Sequence, residues 1–267
     1  MLPTTGQLAL LILAIAFFVI GGVISLARLQ RERPWMRIAA KANMWSGVTA
    51  ALAVLIWHSI ARGSWIPLED NFDSLIWLAL ILAVFVLYVQ RRKPLGGLDW
   101  FVMPIVILLL VGALVIGLTR PQTYDMRSMW AWLHRACTYG GAAAFAVAGT
   151  AGAMYLITNY RLRHKVALAG PNLGSLERLE HLTLTAVTLG FALLTVGALL
   201  GFMKMRLDQR HAPAVMFLSA AVWIVYAIVL HSPINPSFRG RRAAVLSIVG
   251  FALMIGTVVL VLVTTRG

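Results

Sequence analysis

The chain has 267 residues, of which 60% are hydrophobic and only 12% are charged, and its formal net charge is +14. A soluble domain carries about a quarter charged residues, so this composition indicates an integral membrane protein. The basic residues lie between apolar segments and form no basic aromatic patch, which argues against nucleic acid and for anionic lipid headgroups as partners. The single cysteine, Cys137, excludes an internal disulfide and a cysteine-based zinc site.

Eight apolar segments each approach the length of about 20 residues that a helix needs to cross a bilayer. They lie near residues 7–27, 43–60, 73–90, 100–118, 129–158, 180–203, 212–231 and 243–264. The first lacks a basic flank and a small-residue cleavage site, so we expect a retained helix rather than a signal peptide. No long linker or repeat interrupts the chain, and the sequence therefore predicts one all-α membrane domain over residues 1–267.

The basic residues are divided unevenly between the two sides of these predicted spans. Fifteen of the 23 lysines and arginines follow the first, third, fifth or seventh segment. The richer side is expected to be cytoplasmic by the positive-inside rule, so both termini are predicted to face outward. The inner or cytoplasmic membrane of a cell is the predicted location.

The fifth and sixth segments differ from the others. Residues 129–158 are too many for one span at about 1.5 Å per residue, which predicts either a helix projecting from the outer surface or a kink at Gly140–Gly141. The glycine and alanine run of this segment, together with Gly197 and Gly201 in the next, predicts close contact between helices.

Six histidines are the plausible ligands for a cofactor. The predicted topology puts three of them on the outer side and three on the cytoplasmic side. The outer set is His58, His134 and His211, and the cytoplasmic set is His164, His181 and His231. The cytoplasmic His164 and His181 lie in charged turns where solvation is the simpler interpretation.

His134 shares a helical face with Trp130 and Cys137. Haem needs a neutral imidazole in an apolar, aromatic-walled cavity, with cations near its propionates, and Arg127 and Arg135 are close in sequence. The alternative is a histidine in an interfacial aromatic belt, and the residues alone favour this alternative.

The remaining candidates are more ambiguous. His58 precedes Arg62 by about one turn, so the pair could contact a haem edge or propionate, or His58 could simply bond a nearby carbonyl. His231 ends the seventh segment, where the helix dipole alone favours a histidine. His211 lies in a predicted solvated loop.

Other chemistries lack their motifs. The chain has no GxSxG, HExxH or glycine-rich phosphate loop. Glu69, Asp70 and Asp73 form an outer acidic cluster that we interpret as a helix start, with Asn71 or Asp73 as the cap. No carboxylate is predicted at mid-membrane, which argues against a proton-coupled transporter.

Four phrases, in order, resemble the cytochrome c assembly family of haem-handling membrane proteins, the CcsA, ResC and HemX type. They are WHSIARGSWIPLEDNFDSLIWLA, WAWLHRACTYGGAAAFAVAGTAGAMYLI, LERLEHLT…GFALLTVGALLG and WIVYAIVLHSP…FRGRRAAVLSIVGFAL. The resemblance implies a polytopic protein that binds or moves haem for cytochrome c maturation. It also implies that His134 matches the first outward haem ligand, His58 the second-span histidine and His231 the histidine ending the penultimate helix.

Two departures from the family pattern qualify that expectation. The region GFMKMRLDQRHAPAVMFL has no tryptophan where haem-presenting members carry a tryptophan-rich motif, and no histidine follows His231. These departures argue against haem-lyase activity and predict an accessory component closer to the HemX-like branch. Its partners would be haem and other assembly proteins.

We predict haem near the outer leaflet with His134 as an axial ligand to the iron and His58 or His211 opposite. Trp130 would line the site, and Arg62, Arg127 or Arg135 would lie near the propionates. The alternative function is a non-haem membrane subunit or regulator, linked to haem biosynthesis, that docks a partner such as a biosynthetic enzyme through its basic cytoplasmic loops.

Overall fold

The described part of the chain contains eight α-helices. A computed structural model describes residues 2–30, 33–65, 68–92, 95–119, 121, 123, 128–164, 173–207, 213–232, 234 and 239–264. The helices are α1 (Thr5–Gln30), α2 (Pro34–Arg62), α3 (Asn71–Arg92), α4 (Leu98–Leu118), α5 (Met129–Arg163), α6 (Leu176–Leu207), α7 (Pro213–Leu230) and α8 (Arg241–Thr264). Among the described residues the only β pairing is an isolated bridge between Asp70 and Thr123.

All eight helices are long and apolar enough to cross a membrane. Their large apolar side chains are widely exposed, as in Leu108 at 64% and Leu189 at 59%, which is the pattern of a surface solvated by lipid. The predicted all-α, eight-span, multi-pass membrane protein is therefore confirmed. The outward orientation of both termini remains a prediction.

The bounds of α2 and α5 differ from the sequence prediction in ways that have a clear cause. Helix α2 begins at Pro34 rather than near residue 43, because Pro34 can occupy the first turn while Arg33 stays extended. It ends where Gly63 adopts a left-handed φ of 73°. Helix α5 continues without interruption from Met129 to Arg163, so the described helix projects past a single bilayer span and has no break at Gly140–Gly141.

Two compact units divide the chain, one with α1–α4 and the other with α5–α8. In the first unit, α1 packs on α2 and α4, and α3 packs on the same two helices. Gly47 admits the ring of Phe18 because a β-carbon there would lie 2.9 Å from Phe18 Cε2. The single domain predicted from the sequence stays a prediction.

The second unit has the same kind of packing, in which α5 and α7 each pack on both α6 and α8. Its centre holds Phe145 and Tyr226, whose rings stack with centroids 3.7 Å apart. The Tyr226 hydroxyl donates to the Ser247 carbonyl oxygen at 3.3 Å, so its one polar atom is satisfied within the apolar core. The predicted close approach of α5 and α6 is confirmed, since a β-carbon at Gly190 would lie 2.6 Å from Phe145 Cε1.

Candidate functional site

Most of the predicted site residues lie within the described part of the chain, and they are divided between its two units. His58 and Arg62 belong to the first unit, whereas Trp130, His134, Arg135 and His231 belong to the second. His211 and Arg127 lie outside the described residues. The geometry of each histidine therefore has to be considered separately.

His58 lies near the end of α2 and is only 1% exposed. Its Nδ1 is 3.3 Å from Gln7 Oε1, and its Nε2 is 3.2 Å from Asp70 Oδ2. The Gln7 oxygen also accepts the Thr4 N–H at 2.9 Å, which fixes the orientation of that amide. Because both ring nitrogens lie against oxygens of the protein, neither is open to a haem iron in this arrangement.

Arg62 lies one turn after His58 and contacts three carboxylates. Its NH1 donates to Asp70 Oδ2 at 3.0 Å and to Asp73 Oδ2 at 2.7 Å, and its Nε is 3.1 Å from Glu69 Oε2. The Arg62 side chain is 8% exposed and both aspartates are buried. We call His58, Arg62, Glu69, Asp70 and Asp73 the ionic cluster.

The ionic cluster also begins helix α3. Asp70 Oδ1 accepts the backbone N–H of Asp73 at 2.7 Å, so Asp70 is the N-cap. The sequence prediction of Asn71 or Asp73 as the cap was therefore wrong by one residue or more. Burial raises the pKa of the Asp70 carboxyl, but hydrogen bonds from His58 and the Asp73 N–H and the charge of Arg62 outweigh it and hold that pKa below its usual range.

Among the described residues, His58, Asp70 and Asp73 are the one group of three ligand-type side chains close enough to hold a metal ion, with ligand atoms within 4.8 Å of one another. The guanidinium of Arg62 donates to both carboxylates, however, and so supplies the positive charge that a metal would bring. This donor set fits a protein-internal ion network better than a metal centre.

His134 has a different environment, in the second turn of α5 where that helix meets the end of α6. Its Nδ1 is 2.6 Å from the carbonyl oxygen of Gly197. A carbonyl can only accept, so Nδ1 carries the proton, and Nε2 carries the lone pair in the neutral ring. In this tautomer Nε2 is able to bind a metal, while the Gly197 carbonyl fixes the orientation of the ring.

Glycines of α6 make room for this ring. A β-carbon at Gly201 would lie 2.6 Å from His134 Cε1, which is closer than real carbon contacts allow. The imidazole therefore lies directly against the backbone of α6. The two glycines that the sequence marked as packing residues thus also position the predicted ligand.

The polar and aromatic residues predicted around His134 are partly in place. Trp130, one turn before it, is 59% exposed. The Arg135 guanidinium lies 5.4 Å from the centre of the Tyr139 ring, along the helix. Arg135 and Lys204 are near enough to the imidazole to act on it electrostatically, and Lys204 was not among the predicted site residues.

His231 follows the last turn of α7 and is exposed, with Nδ1 2.8 Å from the Ala227 carbonyl oxygen. Phe145 of α5 and Tyr226 of α7 stack face to face and so mark one level of the second unit. His134 precedes Phe145 and His231 follows Tyr226, so the two histidines lie on opposite sides of this level, sixteen residues apart along the helices. At 1.5 Å per residue this is about 20–25 Å. One iron therefore cannot bind both histidines.

The ionic cluster is the feature that sequence analysis missed. The sequence did contain a signal, because Asp70 and Asp73 are three residues apart at the start of one helix and Arg62 lies at the end of the preceding helix. The acidic residues were interpreted only as a helix start, because their contacts with His58 and Arg62 of α2 depend on the packing of two helices.

Comparisons with known proteins agree with this architecture. The family described as "Cytochrome C assembly protein" matches residues 45–265. The CcsA cytochrome c biogenesis protein of Mesostigma viride is 20% identical over 70% of this chain and 71% of its own length. That of Synechococcus sp. (strain RCC307) is 24% identical over 74% of this chain and 73% of its own.

A solved structure extends the likeness to the fold. The cytochrome c haem lyase CcmF superimposes with a TM-score of 0.65 at 18% sequence identity, covering 96% of this chain. The chain spans 47% of the length of that protein. With the family match extending over most of the sequence, the chain belongs to the cytochrome c assembly protein family.

Proposed function

We propose that this protein binds haem non-covalently as a cargo for cytochrome c assembly, with Nε2 of His134 as one axial ligand to the iron. The observation that carries the proposal is the 2.6 Å contact between His134 Nδ1 and the Gly197 carbonyl oxygen. It leaves the other ring nitrogen unprotonated in the neutral imidazole, and a backbone partner that cannot move independently of α6 orients it.

Three further features support the same site. Gly197, whose carbonyl accepts the Nδ1 hydrogen, and Gly201, which faces the ring, both belong to α6, so one helix orients the imidazole. Trp130 offers an exposed indole one turn before His134, and Arg135 and Lys204 supply positive charge for propionates. The matched relatives are named for cytochrome c biogenesis.

His58 and Arg62 take a structural part in this proposal. Their hydrogen-bonding groups contact Gln7 and the carboxylates of the ionic cluster, and both would have to exchange those contacts for a haem iron or propionate. The accessory role and the HemX-like position within the family remain our predictions. His211 is our predicted second ligand to the iron.

The test is the visible spectrum of the protein purified in mild detergent after expression with added haem precursor. Wild type should show a Soret band that shifts on reduction, and His134→Ala should lose most of it. His181→Ala is the matched control, because His181 is exposed at the other end of α6, where its Nδ1 lies 3.5 Å from the Thr185 hydroxyl.

Two results would count against the proposal. A His134→Ala protein that keeps the wild-type band would move the ligand elsewhere, with His231 next to be substituted. A folded wild-type protein without any haem band would favour the alternative of a non-haem subunit that docks a partner through its basic loops.

A further inference from the structure

A cavity of about 850 Å³ opens in the second unit, at the end opposite to His134. It lies where α5 ends and where α6 and α8 begin, on the side predicted to be cytoplasmic. Four arginines line it, Arg163, Arg239, Arg241 and Arg242. Its size falls within the range of roughly 300–1,000 Å³ that is usual for small-ligand sites.

The charges around this cavity are unbalanced. Among the described residues of the lining, Glu180 is the one acid beside the four arginines, so these residues carry a formal excess of three positive charges. Its ion pair with Arg239 is long, at 3.6 Å, and the Arg239 side chain is 60% exposed. The positive-inside rule accounts for arginines on this side of a membrane, but it does not require them to converge on one cavity. An anion in the cavity would relieve their mutual repulsion.

The rest of the lining is amphipathic. Tyr155 and Asn159 add polar atoms from α5, whereas Val245 and Leu246 add an apolar wall from α8. Val245 is 41% exposed and belongs to the membrane-spanning part of α8, so the apolar wall continues onto the lipid-facing surface. The lining therefore suits a ligand with an anionic head and an apolar body that extends into the membrane.

We propose that this cavity is a binding site for the phosphate headgroup of an anionic phospholipid, whose acyl chains lie along α8. Arginine is suited to this ligand because its planar fork donates two hydrogen bonds to one phosphate. Basic pockets between membrane helices on the cytoplasmic side bind acidic lipid headgroups in general. The site is independent of haem, since it lies at the other end of the bundle from His134.

Lipid titration followed by native mass spectrometry of the delipidated full chain tests the proposal. Dioleoyl phosphatidylglycerol and dioleoyl phosphatidylcholine have the same acyl chains and differ only in the headgroup. Wild type should bind the first phosphatidylglycerol molecule more tightly than phosphatidylcholine. The double variant Arg163→Gln/Arg242→Gln should weaken that binding by about 25-fold, at about 5-fold per charge, and leave phosphatidylcholine unchanged.

The matched control is Arg37→Gln/Arg91→Gln, which removes two exposed arginines from the same predicted side but from the first unit. It should keep the wild-type affinity. Arg163→Lys/Arg242→Lys keeps the charges without the fork and should weaken phosphatidylglycerol binding only a few-fold, so the proposal remains testable if the glutamine variant fails to fold.

Three outcomes would overturn the proposal. They are equal affinity for the two lipids, equal losses in the cavity and control variants, and displacement of phosphatidylglycerol by inorganic phosphate at the same concentration. The last outcome would identify a site for a free anion rather than for a lipid.

Discussion

His58 and His134 look alike in the sequence, since each stands near a helix end with an arginine close by. Their surroundings in the folded protein are opposite. The two ring nitrogens of His58 contact a glutamine and an aspartate. His134 instead donates one N–H to a backbone carbonyl and keeps its other nitrogen available. The availability of a histidine for iron is therefore decided by partners from other helices, which local sequence does not reveal.

Removal of the counter-charge from the ionic cluster should have the largest effect. Arg62→Gln leaves buried Asp70 and Asp73 without their guanidinium, and loss of one partner from a buried ion pair costs about 3–5 kcal/mol in the free energy of unfolding. Unfolding in detergent, followed by circular dichroism, measures this cost. Arg62→Gln/Asp73→Asn removes charge of both signs and should lose less than the two single variants together.

A double variant that loses clearly less stability than the sum of the two single variants would confirm that the cluster acts as one network. Additive losses would show that Arg62 and Asp73 act independently. If His58 and Arg62 bound haem, the single variant would instead lower the Soret band while leaving unfolding unchanged.

An intermediate effect is expected at the glycine that faces His134. Gly201→Ala places a β-carbon 2.6 Å from His134 Cε1, so the ring must turn away from the Gly197 carbonyl. We expect a loss of about 1–3 kcal/mol in stability and at least a tenfold loss in haem affinity, measured by haem titration. The control is Gly256→Ala in α8, whose β-carbon would make an ordinary 3.4 Å contact with Leu218.

Should Gly201→Ala bind haem with wild-type affinity, the orientation of His134 by α6 would be irrelevant to binding. Should Gly256→Ala lose as much as Gly201→Ala, general loosening of the unit would explain both.

The smallest effect is a pH dependence of the first unit. The pKa of Asp70 is lower in the folded protein than its ordinary value, because hydrogen bonds from His58 and the Asp73 N–H and the charge of Arg62 outweigh the effect of burial. A depressed folded pKa stabilises the protein above the unfolded value of about 3.9, and this contribution disappears as the pH falls through the folded value. The wild-type melting temperature should therefore decrease when the pH drops below about 4.

Asp70→Asn should melt lower than wild type at pH 7 yet show a shallower fall in acid, since its side chain cannot titrate. An identical acid slope in the two proteins would mean that other carboxyls control the transition.

The helices were predictable because their signal is local. Eight apolar runs predicted eight spans, and Gly197 and Gly201 predicted a close contact between two helices. The start of α2 was misplaced because residues 34–42 are only moderately apolar, yet Pro34 and the following residues continue the helix to Arg62.

The site was only partly predictable for the same reason. His134 could be selected from its aromatic neighbours, but its bond to Gly197 joins residues 63 positions apart. In the first unit, Gln7 of α1 contacts His58 of the ionic cluster across 51 positions. No pattern within one helix encodes either contact.

The length of α5 has a mechanical consequence. Its 35 residues make a rod of about 52 Å, well beyond the hydrocarbon thickness of about 30 Å. Because the helix is continuous, a tilt of a few degrees about its midpoint moves Trp130 and Arg163 in opposite directions by about an ångström or more. Spin labels at these two ends would therefore serve as a gauge of how the bundle leans in membranes of different thickness.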